Sequence, residues 1–191
     1  MLGGLVLAVL LTARCASYAR VAQQVRQDTL RLHVLARSDS PADQLLKLRV
    51  RDAVLAEADS LFRHCTGKEQ ARALAGQSLP RLRRAAQQAL AQWGEPMPVE
   101  VYLTRMEFST ADYSSFGLPP GEYDALRVEL GGGRGHNWFC VLYPGLCLPA
   151  AEEDEPAAYP EPEEQELVTG SYQIRFAAVE WWQTLCAFFG W

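Results

Sequence analysis

Hydrophobic and polar positions along the first third of the chain predict one strand followed by one helix. Residues 30–36 alternate between apolar and polar side chains, which is typical of a half-buried strand. Ser40 and Asp43 then form a capping-box pattern, with a proline at the first helical position between them. Apolar residues recur at helical spacing after this cap, so the pattern predicts a helix over residues 41–62.

A second helical region follows and contains its own start, break and stop signals. Thr66 and Glu69 form another capping-box pattern. Pro80 lies inside the helical stretch and is expected to split it into two segments, because proline lacks the backbone N–H that a helix interior requires. Gly94 is placed to end the second segment.

The hydrophobic period changes to two after the helices, which predicts three further strands at residues 99–108, 123–130 and 138–143. Residues 109–121 are expected to be a loop, and a glycine-rich turn fills residues 131–135. The order of elements is strand, helices, strands and a closing helix. It predicts an α+β fold with a small, largely antiparallel sheet packed by helices.

The two ends of the chain differ from its middle. An apolar run near the N-terminus is shorter than a membrane span and is typical of an export signal. Near the C-terminus, a Pro/Glu-rich stretch carries eight acidic residues and no basic one, and such a composition cannot build a core. We therefore expect four regions: a signal peptide or membrane anchor at 1–20, an α+β signalling domain at 21–148, an acidic disordered linker at 149–170, and an aromatic C-terminal helix at 171–191.

Composition excludes several classes of protein. The chain has 191 residues, of which 49% are hydrophobic, so it can form a real core and is not generally disordered. No apolar run has the length of a spanning helix, which excludes a multi-pass membrane protein. The net charge is -5, and removing the eight acids of the linker leaves +3. That balance is too mild to indicate a nucleic-acid partner.

The five cysteines do not form a paired scaffold, because their number is odd. Cys140 and Cys147 are closely spaced, and a disulfide between them is favoured for an exported chain over a free pair or a catalytic thiol. His136 precedes Cys140 by four residues, so an extracytoplasmic Cys-His hydrolase acting on cell wall or peptide is the alternative function.

The residues do not complete that active site. Residues four apart in an extended segment are separated by about 13 Å, so His136 and Cys140 would meet only if the loop bends back. The spacing of His136, Cys140 and Cys147 also matches none of the usual zinc patterns. We therefore assign no catalytic residue and expect no metal and no cofactor. The residues alone favour an exported interaction domain.

Two long segments carry a resemblance to a known family. Residues 30–54 have the sequence LRLHVLARSDSPADQLLKLRVRDAV, and residues 123–147 have the sequence YDALRVELGGGRGHNWFCVLYPGLC. Their order, their spacing and the GLPPG segment at 117–121 resemble the stage II sporulation protein R family of endospore-forming bacteria. The resemblance covers roughly residues 20–148.

The resemblance implies a signalling role. Such a protein is exported from the forespore to the intermembrane space, where it activates a mother-cell membrane peptidase that processes pro-sigma-E. The catalytic residues would then belong to the partner, and this chain would touch the membrane only through its N-terminal segment. Exposed polar and aromatic residues on a loop held by a rigid scaffold are the expected contacts. Four candidates lie in the second block and two in the first: Arg134, His136, Asn137, Trp138, Asp39 and Asp43. Core packing is the alternative role for Trp138, and helix capping is the alternative for the two aspartates.

Overall fold

The computed structural model describes residues 2–109, 111–112 and 117–145. The predicted acidic linker, the predicted C-terminal helix and Cys147 lie outside these residues. The helices and strands are α1 (Leu2–Asp28), β1 (Leu30–Leu35), α2 (Pro41–Phe62), α3 (Lys68–Gln92), β2 (Val99–Phe108), β3 (Ala111–Asp112), β4 (Gly117–Leu118), β5 (Gly121–Leu130) and β6 (Asn137–Tyr143).

The chain divides into two compact units, and the first of them contains residues 1–27, 107–121 and 159–191. In its described part, α1 is one continuous helix, and Arg26 near its end donates a hydrogen bond from Nη1 to the carbonyl of Pro120 at 3.2 Å. β3 and β4 pair as a short antiparallel ladder within the stretch that the sequence predicts as a loop. Among the helices that the structure describes, none combines the length and apolarity needed to cross a membrane.

The second unit, residues 28–106 and 122–158, is built on a four-stranded sheet with the order β2-β5-β1-β6. The central strand β1 runs parallel to β5 and antiparallel to β6. Leu30, the first residue of β1, lies opposite Asp124 on one side and Tyr143 on the other. The predicted α+β fold with a small sheet packed by helices is confirmed, and the parallel pairing of β1 with β5 is its unexpected element.

The core of this unit lies between one face of the sheet and the two helices α2 and α3. Leu30, Leu32 and Val34 of β1 point to this side, and they belong to the same buried cluster as Val50 and Val54 of α2. Each of these side chains contributes about 1.5–3 kcal/mol by leaving water. The alternation in residues 30–36 thus fixes which face of β1 meets the helices.

The opposite face of the sheet is buried too, although it carries polar residues. The guanidinium of Arg31 is fully buried and lies between the rings of Tyr123 and Phe139, at 5.0 and 5.2 Å from their centroids. His33, two residues later on the same face, has its pKa lowered to about 4 by burial, with further lowering by the positive charges of Arg127 and Arg31. Both faces of β1 are therefore excluded from water, so the prediction of a half-buried strand is wrong: aromatic rings from β5 and β6 accompany the polar face of β1.

The first predicted capping box is confirmed and the second is wrong. Ser40 is the N-cap of α2, and its side chain accepts a hydrogen bond from the backbone N–H of Asp43. α3 begins instead with Gly67 as its N-cap and no side-chain cap. Thr66 does not cap the helix because its backbone N–H and its hydroxyl both bond to Oε1 of Gln70.

Pro80 does not divide the second helical region, contrary to the sequence prediction. α3 runs through it without interruption from Lys68 to Gln92. Pro80 lies on the exposed side of the helix, where water can satisfy the carbonyl that loses its N–H partner. Gly94 does mark the end of the helix, with a φ of 72° and its N–H bonded to the carbonyl of Ala91.

Candidate partner-binding site

The start of α2 is held by a buried carboxylate. Asp43 is only 3% exposed, and its Oδ2 accepts hydrogen bonds from the hydroxyl of Ser38 at 2.5 Å and from Nε of Arg37 at 3.1 Å. Nη2 of Arg37 also lies 2.8 Å from Oδ1. The hydrogen bond from Ser38, followed by Arg37, lowers the pKa of Asp43 against the opposing effect of burial. Residues 37–43 therefore form a corner between β1 and α2 that is held by hydrogen bonds and an ion pair.

The loop between β5 and β6 lies directly against this corner. The N–H of Gly135 donates to the carbonyl of Ala36 at 2.9 Å. A Cβ atom at Gly135 would overlap the backbone carbonyl of Ser38, so only glycine allows the two backbones to come this close. The glycine at this position thus places the residues after it beside the first turn of α2.

Asp39 and His136 connect the loop to the corner through an exposed contact. Oδ1 of Asp39 accepts a hydrogen bond from the backbone N–H of His136 at 2.5 Å, and the ring nitrogen Nδ1 lies 2.5 Å from the same oxygen. The backbone N–H is the largest cause that lowers the pKa of Asp39, and the ring of His136 is the next. Two predicted candidates from distant blocks of the sequence therefore meet in space.

Lys47 of α2 holds the same loop through hydrogen bonds to its backbone. It was not among the predicted site residues. It is 5% exposed, and its Nζ donates to the carbonyls of His136 and Asn137 at 3.1 and 3.2 Å and to Oε1 of Gln44 at 2.6 Å. These three acceptors match the three protons of an ammonium group. Burial lowers the pKa of Lys47. A lysine one turn after Asp43, within an apolar stripe, is the sequence signal for such a tether.

The remaining candidates differ in exposure. The side chains of Arg134 and Asn137 are exposed. Trp138 is half-buried and packs against the hydrophobic core, and the guanidinium of Arg51 lies 4.8 Å from its ring centroid. The structure therefore presents Arg134, His136 and Asn137 to solvent, whereas Trp138 supports the loop from the core.

The cysteine predictions concern the strand that follows this loop. Cys140 is 1% exposed and lies opposite Leu32 in the sheet. A side chain buried in that position is not accessible to a substrate, so the geometry gives no support to the alternative function, the Cys-His hydrolase. Cys147 lies outside the described residues, and its disulfide with Cys140 stays a prediction.

The site lies inside a segment that is similar to known proteins. The family model described as Stage II sporulation protein R (spore_II_R) matches residues 26–153, which is more than half of the chain. The chain is also 36% identical over 124 residues to the stage II sporulation protein R of Bacillus subtilis (strain 168). The match covers 65% of this chain and 55% of that relative, so the chain spans little more than half the length of the curated relative. No solved structure matches the chain.

The matched segment includes both halves of the site. It contains the corner at residues 37–43, the tether Lys47 and the loop at residues 134–137. The family match, together with the curated relative, confirms the resemblance stated from the sequence. The chain belongs to the stage II sporulation protein R family.

Proposed function

We propose that this sporulation protein is an exported signal that activates a membrane-embedded peptidase, which then processes pro-sigma-E. Membership in the stage II sporulation protein R family supports a role in sporulation. The finer role rests on what the family resemblance implies and on the form of the candidate site. In this proposal the peptidase carries out the chemistry, and the chain described here supplies a surface that binds it.

The observation that carries the proposal is a polar loop fixed by a buried lysine. Lys47 holds the carbonyls of His136 and Asn137, so the backbone of the loop is held in place while their side chains are exposed. Recognition is favoured by such an arrangement, because little conformational entropy remains to be lost on binding. Arg134 and Asp39 extend the exposed polar surface on either side.

The proposed place of action is the intermembrane space around the forespore. Residues 1–20 would serve as the signal peptide or membrane anchor, and membrane association would involve this segment alone. In an oxidising space, Cys140 and Cys147 would form a disulfide at the end of the sheet. Cys15 and Cys65 are free thiols, so neither of them competes with Cys147 for Cys140.

Reconstitution in a non-sporulating bacterium tests the proposal. The chain is co-expressed with the cognate membrane peptidase and pro-sigma-E, and the size of the sigma factor is followed by immunoblot. We expect cleavage that is lost without residues 1–20 and retained in Cys140→Ala. His136→Ala should reduce cleavage, whereas Arg84→Ala, an exposed change on α3, should leave it unchanged.

Two outcomes would count against this function. Absence of cleavage with an exported and folded chain would remove the role as activator. Loss of cleavage in Cys140→Ala, with folding and export intact, would instead favour the thiol hydrolase. The amount of exported chain, measured in the same samples, separates failure of export from failure of activation.

A further inference from the structure

Two large apolar side chains remain exposed in the part of the chain that the structure describes. Leu45 is 45% exposed on α2, and Trp93 is 49% exposed at the end of α3. Arg49 joins them, because it follows Leu45 by one helical turn and its guanidinium lies 4.8 Å from the centroid of the Trp93 ring. Leu45, Arg49 and Trp93 are called the Leu45–Trp93 strip below.

This strip is continuous with the candidate loop. Gln44 precedes Leu45 and donates from Nε2 to the carbonyl of Ser38 at 2.9 Å. Its Oε1 accepts from Lys47, which in turn holds the loop at His136. The first three turns of α2 therefore contact the loop through Lys47 and Trp93 through Arg49.

The strip and the adjoining loop each contain an arginine whose charge is not paired within the described part of the chain. Asp39 and Asp43 already have partners, since the first accepts from His136 and the second from Ser38 and Arg37. Arg49 and Arg134, by contrast, form no ion pair with any described residue. A protein surface with apolar side chains and carboxylates is the complement of such a strip.

We propose that the Leu45–Trp93 strip is a contact surface for the membrane peptidase. The partner would place an apolar side chain between Leu45 and Trp93 and a carboxylate next to Arg49. Tryptophan and arginine are the residue types that most often carry binding energy in protein interfaces, and here they are already stacked on each other. The inference rests on the proposed function, because it names the partner's contact chemistry on a surface that adjoins the candidate loop.

Binding of the full-length chain to the detergent-solubilised peptidase tests the strip directly. We expect Trp93→Ala and Leu45→Ser each to weaken binding about tenfold or more. Trp93→Phe should retain most of the affinity because it keeps an aromatic ring. Arg49→Glu should also weaken binding, and the loss should shrink at high salt. Arg84→Glu is the matched control, since Arg84 is exposed on α3 and should not affect binding.

The outcomes distinguish failure of the proposed contact surface from failure of the proposed function. In one outcome, the wild-type chain binds and activates the peptidase while Trp93→Ala and Leu45→Ser bind with the same affinity. That result would show that the strip is not the contact surface, and the proposed function would stand. If the wild-type chain does not bind, the proposed function is withdrawn and the strip with it. If Trp93→Ala lowers the solution mass of the isolated chain, measured by light scattering, the occupant is a second copy and the proposal is wrong. The melting temperature of each variant confirms that its fold is retained.

Discussion

Asp39 and Asp43 lie four residues apart at the start of α2, and the chain uses them in different ways. Asp43 is buried and bonded to Ser38 and Arg37, which fixes the corner between β1 and α2. Asp39 is exposed, and it binds the backbone and ring of His136 across the surface. A carboxylate thus stabilises the fold at position 43 and contacts the loop at position 39.

The comparison shows that the residues that stabilise the fold differ from those that are available to bind a partner. Hydrogen bonds to a buried charged group contribute about 1.5–3 kcal/mol each to stability, because leaving the charge without partners is costly. Contacts on the surface contribute little, because water replaces them readily. A partner can therefore compete for Asp39 and His136 without loosening Asp43. The predictions below test this separation from its largest consequence to its smallest.

The largest effect is expected from Asp43→Ala. The change removes the acceptor for Ser38 and leaves Arg37 without its partner at the start of a helix. The free energy of unfolding should fall by about 3 kcal/mol, measured by urea denaturation. Asp39→Ala is the control and should leave the urea midpoint almost unchanged. Equal midpoints for the two variants would contradict the comparison.

Gly135→Ala should destabilise the unit by about 2 kcal/mol, because the new methyl group overlaps the backbone carbonyl of Ser38 and the loop must move away. Thermal unfolding measures the loss. Gly76→Ala is the control and should not lower the melting temperature, since a Cβ there makes only an ordinary 3.5 Å contact with Cδ1 of Leu103 and alanine is favoured inside a helix. An unchanged melting temperature in Gly135→Ala would show that the loop does not pack against this corner.

Lys47→Met should cost about 1–2 kcal/mol, because it keeps the buried stem but removes the donor for the carbonyls of His136 and Asn137. Its more specific consequence is faster hydrogen exchange at the amides of residues 134–137. Arg84→Met, an exposed change on α3, serves as the control. Exchange rates at 134–137 that match wild type would remove Lys47 as the tether of the loop.

The smallest expected effect is the loss of the contact between Asp39 and His136 at low pH. The pKa of Asp39 is lowered by His136, so the contact should persist at and above the ordinary value of 3.8 and be lost only as the pH falls through the lower value of the folded state. The amide chemical shift of His136, followed by NMR, should report this midpoint. Asp39→Asn should abolish the titration. A midpoint at or above 3.8 would show that the contact is not formed in solution.

Local patterns in the sequence predicted most of the secondary structure. Alternation gave β1 and β2, and the Ser40 cap set the first residue of α2, because these signals act over a few neighbouring residues. The second cap failed because Gln70 competes for Thr66. The break at Pro80 failed because the exposed side of a helix tolerates a missing hydrogen bond.

Tertiary relations were harder to predict than elements. The sequence placed Asp39 and His136 among the candidates but gave no reason for them to meet, since their contact depends on how β1 and β6 pair. Lys47 was missed because a lysine on a helix is normally solvated, and only its position in the apolar stripe marks it. The stacking of Arg49 on Trp93 follows from the packing of α2 against α3, which no local pattern encodes.

The position of β1 in the sheet has a consequence for the order of folding. β1 precedes α2 and α3 in the chain, yet its neighbours β5 and β6 come after them, so Leu30 can pair only once Asp124 and Tyr143 are available. Pairings between such distant residues slow folding, since loop-closure entropy must be overcome before contacts form. Under the proposed export, a chain threading through a membrane channel from its N-terminus would lack a complete sheet until β6 had emerged. The topology would keep residues 28–143 free of a complete sheet, and so able to pass through the channel, until β6 is across.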